Sequence, residues 1–521
     1  MRSSGRKILQ STALVMGLTL LAKASGFVRD IVVASYFGTS ATMDAFFVAM
    51  TIMGLLVVWL RDPIQVTLIP LFTKELTTYG EQSAWAKASV LLNTLFMLYL
   101  GVTVLGWFLS PYLVILVAPG LRSEIGALAA DLAKTIMLSV LFLGLARLLS
   151  ALFYAYHRFG RPGITTSLDN LVVVMLVVML TPALGVYALA IGTVAGAVAQ
   201  TLVQLPILWR NRAYYLPRVN LKDPIIRRMA WLSLPLLVGT GGAEVDRITD
   251  RVFASLLPAG SLSALAYGHR LTYAMFFQLF VASLTTVLFP YFSRSADADH
   301  YANLSQKLFK SLRVLFWIAF PLSIGLALLH EPLVRLIYQR GAFTEHSVVI
   351  TGQAVFYYAL GLSMYSVSYV LTYAFYSIQD TKTPVLIGLV RVGVKILLSF
   401  ALIGSLAHAG LALADSLSFV LKTILLLAFL PKALKQAEYW TMLQSFAFTI
   451  AITAGMGAVI FLALPYFETV FAAGASVAAI STGLAAAIIL GSSVYLLSSI
   501  LCQRPEVRDV YQLVRAAFAK S

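Results

Sequence analysis

Apolar stretches long enough to cross about 30 Å of hydrocarbon recur from one end of this chain to the other, with only short polar breaks between them. Fourteen are read, at 8–36, 41–72, 84–117, 125–156, 163–181, 184–209, 225–257, 262–291, 304–329, 347–378, 384–404, 408–430, 440–465 and 473–502. One such stretch could be a buried helix of a water-soluble core. Fourteen in series leave no soluble domain to bury them. Alternating strand patterns are absent, and backbone groups in lipid must be satisfied within their own segment, so the spans are expected to be helices. Composition agrees: 12% of the 521 residues are charged, against about 25% in soluble domains. The fold class predicted is an all-α polytopic membrane protein.

The first span follows Arg2, Arg6 and Lys7, as in a secretory leader, but no small-residue cleavage site ends it, and it is read as the first helix. A single cysteine, Cys502, excludes a disulfide framework or a cysteine-rich metal site. The net charge of +16 would suit nucleic acid, yet its placement points elsewhere. Basic residues gather on alternate loops: the N-terminus, Lys74 and Lys87, Arg158 and Arg161, Arg210 to Arg228, Arg294 to Arg313, Lys382, Lys432 and Lys435, and Arg504 to Lys520. The opposite loops hold Arg122, Arg335 and Arg340. This asymmetry predicts both termini in the cytoplasm of a cell with this inner membrane protein, and assigns the charge to topology and anionic lipid. Nucleic acid is not an expected partner.

Three local matches recur at almost one separation. Pro70 in Leu68–Lys74 and Pro290 in Leu288–Arg294 stand 220 apart, as do Asp30 and Asp250. Phe153-Tyr154 with Pro162 matches Phe375-Tyr376 with Pro384, 222 apart. That offset covers six spans, an even number, so the two copies point the same way across the membrane. Parallel repeats of this kind are a transporter architecture with the substrate site between lobes. The expected organisation is spans 1–6 in 1–215, spans 7–12 in 216–435, and two further helices with a cytoplasmic tail in 436–521.

An ionised side chain at bilayer centre costs about 2.5–3.5 kcal/mol on insertion scales, so such residues face a cavity or a partner. Lys23, Arg29 and Asp30 lie on span 1, Asp44 opens span 2, and Arg61-Asp62 interrupts it. Span 7 carries Glu244, Asp246, Arg247, Asp250 and Arg251, and span 8 carries His269 and Arg270. These are the first two helices of each repeat. Two outcomes are open. In one, the charges neutralise one another between helices, Arg247 and Arg251 with Asp246 and Asp250, and Arg29 with Asp30 or Asp44, with no ligand involved. Lys23, Arg29 and Arg270 have fewer acids nearby and suit a cationic cavity, since guanidinium binds phosphate through two parallel hydrogen bonds. Arg391, Lys395, Asp415 and Lys422 form a second polar patch, with inter-helix pairing or ion coupling as its alternatives. No Gly-x4-Gly-Lys-Ser/Thr phosphate loop and no His-Glu-x2-His motif occurs, so no enzyme activity, metal or cofactor is expected. Transport would draw on an ion gradient or on membrane potential, about 2.3 kcal/mol per charge at 100 mV.

Five runs carry a likeness to a known family: Ser25-Gly26-Phe27-Val28-Arg29-Asp30, Phe37-Gly38, Asp44 to Ala49, Gln339 to Thr344, and Ala374 to Pro384 with its Gln-Asp-Thr-Lys-Thr-Pro. Together they resemble the MurJ/MviN family, the lipid II flippases of the multidrug/oligosaccharidyl-lipid/polysaccharide exporter superfamily, over nearly the full length. The resemblance implies about fourteen transmembrane helices, two lobes, and a substrate of undecaprenyl-pyrophosphate-linked disaccharide-pentapeptide flipped to the periplasmic leaflet. It also implies a cationic cavity for the pyrophosphate and a groove beside the last two helices for the lipid tail. Arg29 and Arg270 match family arginines regarded as essential, and Asp44 matches the acid after the first turn. Lys23 stands where many members have arginine. Many members also have an arginine in mid-span 2, where this chain reads Gly54 to Leu60, and Arg61 is the candidate to take over its role. The substrate site expected is therefore Lys23, Arg29, Asp44, Arg61 and Arg270, supported by Asp30, Asp246, Arg247, Asp250 and Arg251.

A flippase for another polyprenyl-pyrophosphate glycan needs the same cavity chemistry. A drug exporter of the same superfamily would need an acidic cavity instead. The chain is expected to act as a monomer among membrane lipids. Arg29→Ala or Arg270→Ala is expected to abolish transport while folded protein remains in the membrane, and Arg29→Lys to retain part of the activity; transport by membrane-localised variants is the measurement.

Overall fold

The computed structural model describes residues 2–210, 214–220, 222, 224–282, 301–431, 434 and 438–510, without the side chains of several stretches that include 2–12, 58–67 and 232–243. Among the described residues every regular element is helical: α1 (Arg2–Phe37), α2 (Ala41–Val117), α3 (Ser123–Ala155), α4 (Gly160–Leu184), α5 (Tyr187–Gln204), α6 (Pro206–Arg210), α7 (Pro224–Ser255) and α8 (Ser261–His269). A π-helical segment, α9 (Arg270–Ala282), continues α8. There follow α10 (Tyr301–Leu328), α11 (His330–Tyr338), α12 (Glu345–Ser377), α13 (Lys382–Phe429), α14 (Glu438–Ala463), α15 (Glu468–Phe471) and α16 (Val477–Leu501).

Among the described residues, nine helices are long and apolar enough to cross a membrane. That is fewer than the fourteen stretches read from the sequence, in part because Lys382–Phe429 covers two of them and Ala41–Val57 of α2 is apolar but too short to count. α2 breaks at Gly80, φ +83°, and α13 at Ala407, φ +49°, so each doubles back without a loop. In addition α1, α7 and α8 with α9 fall outside the nine. The 288–294 half of the first sequence match lies outside the described residues.

The backbone carries a signature of the duplication that side-chain matching missed. Gly38 and Gly260, His157 and Gln379, and Gly185 and Ala407 all have positive φ, and each pair stands 222 residues apart. Gly185 (φ +54°, ψ −133°) and Ala407 (φ +49°, ψ −129°) share one conformation at the junctions after α4 and inside α13. Gln379 ends the turn after α12, and the neighbouring Asp380 carboxylate accepts the Thr383 N–H at 3.0 Å at the start of α13. That backbone bond, with the Thr383 hydroxyl, holds the Asp380 carboxyl below its ordinary value. Its contribution is therefore present above the unfolded value and fades as acid protonates it.

Two compact units pack separately. The first comprises 1–260 with 340–343, the second 261–339 with 344–521. In the first, Trp85 is fully buried, its indole N–H donating to the Tyr156 hydroxyl at 2.9 Å, with Phe72 edge-on at 6.0 Å. This ties α2 to α3. In the second, the Trp317 indole donates to Ser499 at 3.2 Å and the Tyr495 hydroxyl to the Trp317 carbonyl at 2.7 Å, locking α10 to α16.

Nothing lies within 4 Å of a Cβ built at Gly185, so conformation alone restricts that position. Gly185→Ala should cost about 1–3 kcal/mol, and Ala407→Gly should recover part of such strain. Melting of the detergent-solubilised variants checks both signs.

Candidate functional site

The Asp44 region is built by two tight turns. Ser40 caps α2 by accepting the Met43 N–H at 3.3 Å. This sets Asp44 in the first turn, where the helix dipole favours a carboxylate. Asp44 is 4% exposed and its Oδ2 accepts the Gly260 N–H at 2.6 Å, so the end of α2 fastens the turn that leads into α8. On the same unit the Ser35 carbonyl, near the end of α1, accepts the Ala342 N–H at 2.7 Å. No side chain fits at either approach. A Cβ on Gly260 would stand 2.5 Å from the Thr39 carbonyl oxygen, and one on Gly341 2.3 Å from that of Ser35. Both glycines have positive φ as well.

Lys23 and Arg29 are half-buried on α1. The Arg29 guanidinium lies 3.2 Å from the Asp30 carboxylate, and no ion pair reaches Lys23 among the described residues. α4 docks beside them: the Asn170 amide donates to the Ser25 hydroxyl at 3.0 Å and to the Ala22 carbonyl at 3.3 Å. On α7, Arg247 pairs with Glu244 at 3.3 Å, and Arg251 reaches α2, donating from Nε to the Thr51 hydroxyl at 3.1 Å with the Phe47 ring 5.8 Å away. Asp246 and Asp250 are half-buried on the same helix. The first unit thus holds Lys23, Arg29, Asp30, Asp44, Asp246, Arg247, Asp250 and Arg251, while Arg270 opens α9 in the second. Arg61 lies on α2, and its side chain is outside the described residues.

The second unit holds a buried charge cluster where α13 folds back. Asp415 Oδ1 receives Lys395 Nζ at 2.9 Å and Arg391 Nη1 at 3.2 Å, and Arg391 also donates to Ser418 at 3.1 Å. All three charged residues are under 8% exposed. The same unit contains an apolar groove of about 400 Å³ lined by Trp317, Pro321, Leu329, Met456, Ile460 and Tyr495, from α10 and the segments through α16.

Arg147 was not singled out in the sequence. It lines a polar pocket of about 230 Å³ in the first unit with Ser150, Tyr154, Thr165, Thr166 and Gln200. The signal available was a lone arginine in the middle of an apolar helix, and its loss among longer charge clusters hid it.

Comparison with known proteins decides the family. The profile described as "Lipid II flippase MurJ" matches residues 33–482. The chain belongs to the MurJ lipid II flippase family. A relative named lipid II flippase MurJ, from Burkholderia cenocepacia, is 30% identical over 422 residues, which cover 79% of this chain and 81% of that one. Among solved structures, a lipid II flippase MurJ in an inward closed conformation superposes with a TM-score of 0.78 at 22% identity, covering 94% of this chain and 99% of that one. A multidrug resistance MATE transporter of the MOP superfamily, inward-facing, gives 0.62 at 14% identity, covering 84% and 95%. The fold of this MurJ-family member is therefore shared with MOP-superfamily transporters.

The bond between Asp44 and Gly260 separates two roles for this acid. Asp44→Ala leaves a buried N–H without its acceptor and should cost about 1–3 kcal/mol. Asp44→Asn keeps an acceptor oxygen and should melt close to the parent. If transport falls in Asp44→Asn while stability holds, the negative charge itself is required.

Proposed function

We propose that the chain flips lipid II, the undecaprenyl-pyrophosphate-linked peptidoglycan precursor, from the cytoplasmic to the periplasmic leaflet of the inner membrane by alternating access. The observation that carries this is the family match over 33–482, joined to cations held within apolar helices. In this reading fourteen spans form two six-helix lobes, 1–215 and 216–435, with a C-terminal pair in 436–521 and both termini cytoplasmic. Lys23, Arg29 and Arg270, with Arg61, bind the pyrophosphate in a central cationic cavity. Arginine supplies the bidentate contacts and Lys23 a compact point charge. Asp44, bonded to the Gly260 N–H, holds the turn beside the start of α2.

The lipid tail is assigned to the apolar groove beside α10, α14 and α16, whose lining offers hydrocarbon to hydrocarbon. No cofactor enters the scheme, and the driving force is an ion gradient or the membrane potential. The buried Arg391–Asp415–Lys395 cluster carries its own cations on the carboxylate, which supports a structural role for that patch. A drug-cation exporter would need acids at the cavity positions where Lys23, Arg29 and Arg270 stand.

Complementation of a conditional lipid II flippase mutant tests the substrate. Growth should be restored by the parent and lost in Arg270→Ala, with lipid II accumulating on the cytoplasmic side on depletion. Accumulation of a different lipid-linked glycan, with no rescue, would replace lipid II by that substrate.

A further inference from the structure

α12 carries an aromatic row for which the flippase scheme above has no use. Tyr365, Tyr369, Tyr373 and Tyr376 recur at spacings of four, four and three and so share one helix face. Successive rings touch or nearly touch: Tyr369 to Tyr373 at 5.0 Å and Tyr373 to Tyr376 at 6.0 Å, with Phe277 of α9 bridging Tyr365 at 4.5 Å and Tyr369 at 5.3 Å. Tyr273, one π-helical step earlier on α9, backs Tyr365 at 4.9 Å and is itself buried. The row is braced by α9 and, at Tyr365, by Phe419 of α13 at 4.7 Å. Tyr365, Tyr369 and Tyr373 are half-buried and Tyr376 is 38% exposed, while the opposite face of α12 buries Val367, Leu371 and Ala374.

Two plain explanations fall short. An interfacial aromatic belt accounts for Tyr376 and Tyr373 near the helix end. It does not account for Tyr365, twelve residues before Ser377, which at 1.5 Å per residue puts it roughly 18 Å inward. Packing against lipid is also a poor account, because phenol hydroxyls gain nothing from hydrocarbon and lose their water. Phenylalanine or leucine would serve lipid better. The duplication adds a contrast. At the 222-residue offset, Tyr365, Tyr369, Tyr373 and Tyr376 correspond to Leu143, Arg147, Ala151 and Tyr154 of α3. A row needed for the fold would stand in both copies, yet only the outermost tyrosine does. The remaining three belong to the second copy alone.

A pyranose ring presents a face of C–H groups and a rim of hydroxyls. A tyrosine presents a π-face to the first and a phenol O–H to the second, and several in file serve successive sugars. We propose that Tyr365, Tyr369, Tyr373 and Tyr376 form a track that stacks against the sugar head group of the lipid-linked substrate. The proposal rests on the reading of the substrate as lipid II and deepens it: the cations take the pyrophosphate, and this row takes the glycan. The hydroxyls of Tyr369 and Tyr373 lie 3.2 Å apart and so present a paired donor and acceptor toward one sugar edge.

The test compares two lipids on the full-length protein in nanodiscs: lipid II, and undecaprenyl pyrophosphate that has the anion and tail but no sugar. Tyr369→Leu and Tyr373→Leu should each weaken lipid II binding about tenfold and leave the sugarless lipid unchanged. Tyr369→Phe keeps the ring and should lose less than Tyr369→Leu. Tyr376→Ala, at the exposed end, gives a variant that folds even if the inner ones do not, and should likewise weaken lipid II alone. Equal weakening of both lipids, or of neither, overturns the track. Failure of the parent to prefer lipid II over the sugarless lipid overturns the substrate assignment itself, and the track with it.

Discussion

Backbone amides have no water to bond in hydrocarbon, and that one constraint organises the molecule. Each span closes its own hydrogen bonds as a helix, so the architecture reduces to where helices break and what satisfies the break. The breaks are few and specific. Gly80 and Ala407 reverse the chain inside α2 and α13 without a loop, and the turns around Gly38, Gly260 and Gly341 bring backbones into direct contact. Asp44 contributes to the same economy, since its carboxylate completes the hydrogen bonding of the Gly260 turn.

Charge is the second constraint. An arginine or lysine in an apolar helix persists where it has either a carboxylate or a polar space. Both solutions occur here. Lys395 and Arg391 converge on Asp415 in a cluster that excludes solvent, whereas Lys23 and Arg29 lie part-exposed on α1, with Asp30 beside Arg29 and the Asp169 carboxylate of α4 also within its electrostatic reach. A closed ion cluster stiffens a fold, and a half-exposed cation keeps capacity for an anion. This difference separates the two sets more clearly than their sequence context does.

The duplication joins these themes. Positive-φ residues recur at an offset of 222, because a helix–turn–helix unit that works once in lipid works again with the same turns. Side chains were free to diverge between copies. Arg147 in α3 and Tyr369 in α12 occupy corresponding positions with opposite chemistries, one suited to an anion and the other to a ring.

The sequence by itself determined that the chain is helical and membrane-embedded, because long apolar runs admit no other backbone solution. It also gave the offset of the repeat and the family, through the Ser25–Asp30 and Gln379–Pro384 motifs. It marked the costly charges, since a lysine or arginine amid leucines is visible without coordinates. Tertiary structure alone decided which distant groups met: Asp44 bonded to a backbone N–H 216 residues away, and Arg251 of α7 bonded to Thr51 of α2, whereas Arg247 with Glu244 is a local pair on one helix. The pocket at Arg147 and the tyrosine row of α12 likewise emerged only from packing. Hydropathy records how much a residue dislikes water, whereas partnership depends on direction and distance across helices that the chain brings together only when folded.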